Sequence, residues 1–170
     1  LTFLCAISYW LAGMSGFDAV AHSMTTIATG GYSTTDGSIG SFESWPIDLI
    51  ATIGMIVGSL PFILYLKTLQ GSYSALWQDS QVQWFISLVV IVVLAVTARL
   101  WLSSELESIQ ALRYAAFNVV SIITGTGYAT SDYSQWGSFA VPVFFFIMFI
   151  GGCAGSTTCG IKIFRFQVLY

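Results

Sequence analysis

Residues 25–36, Thr-Thr-Ile-Ala-Thr-Gly-Gly-Tyr-Ser-Thr-Thr-Asp, return 96 positions later as residues 121–132, Ser-Ile-Ile-Thr-Gly-Thr-Gly-Tyr-Ala-Thr-Ser-Asp. Ile27, Gly31, Tyr32, Thr34 and Asp36 fall on Ile123, Gly127, Tyr128, Thr130 and Asp132. Each copy follows a short apolar, helix-like stretch and precedes another apolar one. That is the layout of a pore loop, in which Thr/Gly-rich backbone offers carbonyl oxygens to a dehydrated cation. Two such loops in one apolar chain point to ion permeation.

The composition agrees. The chain is 56% apolar and 8% charged, with a mean hydropathy of +0.81. Soluble domains carry roughly 25% charged residues, so this composition places the chain in a membrane. The net charge is −3, with no basic run, which excludes nucleic acid as a natural partner. Three cysteines, Cys5, Cys153 and Cys159, sit in apolar or Gly-rich context and form no disulfide framework. Leu1 opens inside an apolar stretch, which reads as part of a longer protein rather than a signal peptide.

Outward from the two loops, the chain divides into 1–66, 67–81 and 82–170. Residues 1–12 read as the end of an outer helix. Residues 46–66 have the roughly 20 residues a span needs, with Pro46 in the first turn and Pro61 set to kink or end the helix locally. Residues 67–81 are polar and read as a cytoplasmic loop. Residues 82–102 form a cleaner span. Residues 137–150 would reach only about 21 Å, short of the ~30 Å hydrocarbon core. The Gly-rich run 151–160 then breaks that helix. The stretches 16–28 and 105–123 are too short to span and end at the Gly motifs. Each opens on a serine with an acid three residues later, Ser15 with Asp18 and Ser104 with Glu107, the pattern that satisfies free N–H groups of a first turn. A helix that stops at mid-depth and returns as extended backbone is a re-entrant hairpin, tolerated where protein or water surrounds it. The fold class read from this is all-α integral membrane, with tandem helix–pore-loop–helix repeats.

Seven acids (Asp18, Asp36, Glu43, Asp48, Glu105, Glu107 and Asp132) fall on the filter side of the spans, whereas Lys67, Lys162 and Arg165 fall on the other. The positive-inside rule puts the filters outside and Lys67 in the cytoplasm. Arg99 is placed to snorkel, and Arg113 needs an acid that the sequence does not name. Trp10, Trp45, Trp101 and Trp136 fit an aromatic belt.

Carbonyl oxygens replace water around a monovalent cation without adding full charge, so the ion can leave again. The candidate ion-binding residues are therefore Ala28, Thr29, Gly30, Gly31 and Tyr32, with Thr124, Gly125, Thr126, Gly127 and Tyr128. Gly31 and Gly127 are the central pair. Asp36 and Asp132 would concentrate cations outside. The candidate gate is Gly151, Gly152, Gly155, Ser156, Thr157, Thr158, Cys159, Gly160 and Lys162, with Lys162 anchoring the cytoplasmic end. A P-loop reading of 155–162 fails, because Lys162 does not directly follow Gly160. His22 reads as a packed, hydrogen-bonded residue. One histidine and membrane-edge acids give no catalytic arrangement, so no enzyme is expected.

Three stretches, Ala28–Ser33, Thr124–Ala129 and Phe149–Lys162, resemble the TrkH branch of the Trk/Ktr/HKT cation-transporter superfamily. The resemblance covers nearly all of the chain. It implies four helix–pore–helix repeats in a pseudo-fourfold, potassium-channel-like pore, of which this chain would hold most of the second and the third. It implies K⁺ as the transported ion and the only bound cofactor, and uptake across the bacterial inner membrane. It also implies a homodimer in the lipid bilayer and a cytosolic TrkA-like nucleotide-binding regulator. Residues 151–160 would be an intramembrane loop that blocks the pore, and Cys159 stands where relatives commonly carry Gly. Two alternatives stay open: a two-pore-loop potassium channel subunit that dimerises, and a broken-helix secondary carrier of a small solute.

Overall fold

The computed structural model describes residues 1–103 and 108–169. Its regular elements there are helical: α1 (Thr2–Leu11), α2 (Gly16–Ile27), α3 (Trp45–Gly58), α4 (Phe62–Leu69), α5 (Ala75–Gln78), α6 (Ser80–Leu102), α7 (Ser108–Ile123), α8 (Ala140–Ile147) and α9 (Ile163–Leu169). Two 3₁₀ turns, Ser38–Phe42 and Tyr133–Gln135, follow the two Gly motifs. The all-α class read from the sequence is the class observed.

The long span is α6, 23 residues and about 34 Å at the helical rise. Asp79 caps it, accepting the N–H groups of Gln81 and Val82 at 2.9 and 3.2 Å. Val82, Phe85, Val89, Val93, Val96 and Leu100 form its buried stripe, while Val90, Ile91 and Leu94 on the other side are exposed. A helix apolar on both faces needs an apolar surrounding medium. α6 packs on α7, α1 on α2, and α3 on both α2 and α7. α3 is thus the element that joins the two halves. It crosses the end of α2 closely. A Cβ at Gly54 would lie 2.6 Å from Thr26 Cγ2, and one at Gly58 would lie 2.5 Å from the Ile27 carbonyl.

The stretch 46–66 is interrupted at the expected place, Pro61, and more sharply than a kink. It is two helices, α3 and α4, bent by 91° at Ser59–Pro61. Pro61 has no N–H to give the Val57 carbonyl. The Tyr65 hydroxyl donates to that carbonyl instead, at 2.7 Å. The 67–81 segment is less loop-like than expected, since α4 runs on through Lys67 to Leu69 and α5 occupies Ala75–Gln78. The expected helix 137–150 is also shorter. α8 ends at Ile147, and helix resumes only at Ile163. The helix entry at Ser15 is as expected, with the Asp18 N–H donating to Ser15 Oγ at 3.1 Å. The matching pattern at Ser104–Glu107 lies outside the described residues.

Candidate ion filter and the loop beneath it

The two Gly motifs fold alike. After α2, Thr29 and Gly31 take φ of +49° and +71°; after α7, the aligned Gly125 and Gly127 take +71° and +84°. Glycine enters this left-handed region freely, and other residues resist it. Thr29 is therefore the strained member of the four. The same backbone bond starts each turn: Gly30 N–H to Thr25 O at 2.7 Å, and Thr126 N–H to Ser121 O at 2.9 Å.

A hydroxyl from the pore helix then fixes each aromatic's carbonyl. Thr25 Oγ1 donates to Tyr32 O at 2.8 Å, and Ser121 Oγ donates to Tyr128 O at 2.7 Å. A buried polar side chain one turn earlier ties down the outgoing strand. His22 Nδ1 bonds the Asp18 carbonyl at 2.8 Å and Nε2 pairs with Ser33 Oγ at 3.0 Å. The aligned Asn118 bonds the Tyr114 carbonyl at 2.9 Å and Thr130 Oγ1 at 3.0 Å. His22 is fully buried, with both ring nitrogens used.

The two turns meet. A Cβ on Gly31 would sit 1.8 Å from the Thr126 carbonyl oxygen, so only glycine fits there. A Cβ on Gly127 would meet nothing within 4 Å. Among the described residues, the carbonyl oxygens of Thr29, Gly30, Gly31, Thr124, Gly125, Thr126 and Gly127 accept no hydrogen bond. Thr29, Thr124 and Thr126 are buried, where carbonyls are normally paired, whereas Gly30, Gly125 and Gly127 are exposed. An unpaired run at the C-terminal ends of two helices, where the dipole's negative end lies, suits a cation. Ala28 lies one step below this run. Its carbonyl takes the Thr29 hydroxyl at 2.8 Å.

The 151–160 segment is non-helical and lies under the turns. Its base is closed by Gly151 N–H to Ile161 O at 2.9 Å and Ile161 N–H to Phe149 O at 2.8 Å. Its body fills the α3–α4 break. The groups released at the bend find their partners in the loop: Gly58 O accepts Thr157 N–H at 3.2 Å, Ser59 O accepts Cys153 N–H at 3.0 Å, and Phe62 N–H donates to Gly155 O at 3.1 Å. The break and the loop thus satisfy each other, as buried backbone at membrane depth requires. Thr157 Oγ1 also lies within 2.9 Å of Gly58 O and 3.0 Å of Ile27 O, the last residue of α2. Thr29 Oγ1 approaches Thr157 Oγ1 at 3.2 Å. Cys159 stands beneath the second turn, its Cβ 3.2 Å from where a Cβ on Gly125 would be.

Inside the loop, Thr158 Oγ1 accepts from Gly152 N–H and the Lys162 ammonium, each at 2.9 Å, and donates to Ser156 Oγ at 2.8 Å, whose own hydroxyl donates to the Cys153 carbonyl at 2.7 Å. Lys162 also donates to the Thr158 carbonyl. Lys162, read from the sequence as an anchor for the end of the loop, turns back onto Thr158 within it. Its flexible stem lets the ammonium find the nearest free oxygens. Gly160 has φ +79° with Gly151 N 3.0 Å from its would-be Cβ, so the two ends of the loop touch.

The charged residues fall in different surroundings. Asp132 caps the second 3₁₀ turn, accepting Ser134 N–H at 3.0 Å, the Ser134 hydroxyl at 2.5 Å and Gln135 Nε2 at 2.9 Å. These bonds hold its carboxyl below the usual range. Asp36 is exposed. Asp48 is buried and pairs with Arg113, Nε to Oδ2 at 2.7 Å, which supplies the acid the sequence left unnamed. Arg99 lies over the Phe139 ring at 5.8 Å.

Thr25, Ser121, Gly58, Ser59 and Gln81, whose side chain accepts Ala154 N–H at 2.9 Å, were missed. Thr25 and Ser121 align across the repeat, and two hydroxyls at one offset were the available signal. The carbonyls of Gly58 and Ser59 carry none.

A profile of the TrkH family, described as a cation transport protein, matches residues 1–170. The Trk system potassium uptake protein TrkI of Halomonas elongata is 47% identical over 169 residues, covering 98% of this chain and 34% of that protein. The Trk system potassium uptake protein TrkH of Escherichia coli is 38% identical over 172 residues, covering 100% of this chain and 36% of its own length. The crystal structure of the potassium transporter TrkH from Vibrio parahaemolyticus superposes with a TM-score of 0.94 at 38% identity, over 99% of this chain and 37% of that one. The chain thus spans about a third of the length of these relatives. Since the family profile runs the full 170 residues and the helical path follows that transporter closely, the chain belongs to the TrkH family of cation transport proteins.

Proposed function

We propose that residues 28–32 and 124–128 are two turns of a potassium filter in a bacterial uptake transporter. The observation that carries this is the run of unpaired carbonyls on two turns in contact at Gly31 and Thr126. Relatives that are named potassium uptake proteins support the choice of ion. K⁺ is then cargo, drawn from the outer face to the filter and released past the loop. The protein is a transporter and not an enzyme. Residues 151–160 act as the gate: they bond the lower end of α2 and lie under both turns. The domain division follows: a repeat over 1–66, a cytoplasmic connection over 67–81 and a repeat with a broken inner helix over 82–170. Further turns of the same kind complete a pseudo-fourfold pore. The molecule works as a homodimer in the inner membrane, filters outward, with a cytosolic TrkA-like regulator acting on the loop.

Gly127→Ser is the test, because within this chain a Cβ there meets nothing within 4 Å and the contact between the two turns is left intact. In proteoliposomes holding the full-length protein, K⁺/Na⁺ discrimination should fall while folded protein is still recovered. Unchanged discrimination would overturn the filter reading.

A further inference from the structure

One aromatic of the repeated motif does something its partner does not. Tyr128 is 1% exposed and Tyr32 79%. The Tyr128 side chain leaves its own turn and enters the first repeat. Its hydroxyl meets Thr25 Oγ1 in a short hydrogen bond. It also lies 3.4 Å from Thr26 Oγ1, 3.3 Å from His22 O and 3.4 Å from Tyr32 O. Tyr9 Oη, from α1, is 2.9 Å from Thr26 Oγ1.

One assignment lets every hydroxyl in this cluster donate once. Tyr9 donates to Thr26, Thr26 to Tyr128, Tyr128 to Thr25, and Thr25 to the Tyr32 carbonyl at 2.8 Å. Chains of this kind polarise one another in a low-dielectric interior. This one ends on the outermost carbonyl of the first filter turn. Tyr9, Thr26 and Tyr128 are each buried, so water does not compete for them.

We propose that Tyr128 is a positioning residue for the neighbouring filter turn, acting through Thr25 to fix the Tyr32 carbonyl. The filter of one repeat is thereby held in register by the aromatic of the next. Within this chain the tie runs from the second motif to the first. The seat that Tyr128 fills is made by Thr25 and Thr26; the aligned Ser121 and Ile122, with Gly125 and Gly127, line an open cavity of about 430 Å³. Tyr32 has no seat here and the Ser121 seat has no tyrosine.

This role rests on the filter reading above, so Gly127→Ser is run beside it. Ion flux is measured in proteoliposomes holding the full-length protein, for K⁺, Rb⁺ and Na⁺. Tyr128→Phe keeps the ring and removes the hydroxyl. Losing a net hydrogen bond should lower K⁺/Na⁺ discrimination about fivefold. Thr25→Val should do the same, Thr25→Ser should restore most of the discrimination, and the double variant Tyr128→Phe/Thr25→Val should be no worse than Thr25→Val alone. If Tyr128→Phe fails to fold, the Thr25→Val and Thr25→Ser pair decides the question. Discrimination unchanged in Tyr128→Phe and Thr25→Val, while Gly127→Ser shifts it, would overturn the tie and leave the filter standing. Unchanged discrimination in all of them would overturn both. A purely additive double variant would also sink the tie, because residues acting in one chain do not add.

Discussion

Gly31 and Gly127 are equivalent by sequence and unequal in space. Both sit at positive φ, which costs an alanine roughly 1–2 kcal/mol. Only Gly31 also faces backbone, with the Thr126 carbonyl 1.8 Å from its would-be Cβ. Gly31→Ala should therefore displace the second turn and reduce the yield of monodisperse protein. Gly127→Ala should be recovered well, with a melting temperature lowered by the φ strain alone. Equal recovery and equal melting would contradict the contact. Asp132 makes a second residue-scale case. Its carboxyl is held down by bonds from the Ser134 hydroxyl, Gln135 and the Ser134 N–H, in that order. A carboxyl depressed by folding stabilises the protein above its unfolded value and loses that contribution as pH falls through the folded one. The melting difference between wild type and Asp132→Asn should thus be flat above the ordinary value of 3.8 and close as the pH drops below it. A difference that grows on acidification would contradict the capping role.

At the scale of elements, the two helix breaks, between α3 and α4 and between α8 and α9, explain one another. The first is made by Pro61, the second by the Gly-rich run. The backbone groups freed at the first break are those the second saturates. Thr157 is the junction, reaching both Gly58 O and Ile27 O with one side chain. Thr157→Val keeps the shape and removes the hydroxyl. Each lost hydrogen bond is worth about 1 kcal/mol, so the loop should leave its seat more often. K⁺ flux in proteoliposomes should rise several-fold with the K⁺/Na⁺ ratio little changed, because Thr29, which loses Thr157 as a partner at 3.2 Å, keeps its bond to the Ala28 carbonyl at 2.8 Å. Lower flux from folded protein would argue that the loop supports the pore instead of closing it.

For the whole molecule, the Asp48–Arg113 pair couples the repeats, because it joins α3 to α7. The Arg113 side chain is 22% exposed and that of Asp48 5%, so the carboxylate carries most of the desolvation. Removing the arginine alone strands a buried charge. Arg113→Met should destabilise by about 3 kcal/mol, and the double variant Asp48→Asn/Arg113→Met by clearly less. Thermal melts of the wild type, the single variant and the double variant give the comparison, and a single variant no worse than the double would rule out a stranded charge.

The sequence alone determined the helical membrane class, the repeat, the long span at α6 and the non-helical run 151–160, though not that the helix before it stops at Ile147. Each of these follows from local properties: apolar run length, glycine content and an offset of 96. Pairings across the chain were not legible. Sequence named Arg113 as needing an acid but not Asp48, 65 residues away. It placed a kink at Pro61 but not a 91° bend, because the bend depends on loop residues that take over the freed carbonyls. It treated Tyr32 and Tyr128 as copies. Only the packing of one repeat against the next separates them, burying one tyrosine and leaving the other exposed. Local chemistry sets which elements form. Which oxygen meets which hydroxyl is decided when the elements close on each other, since backbone carbonyls carry no mark in the sequence.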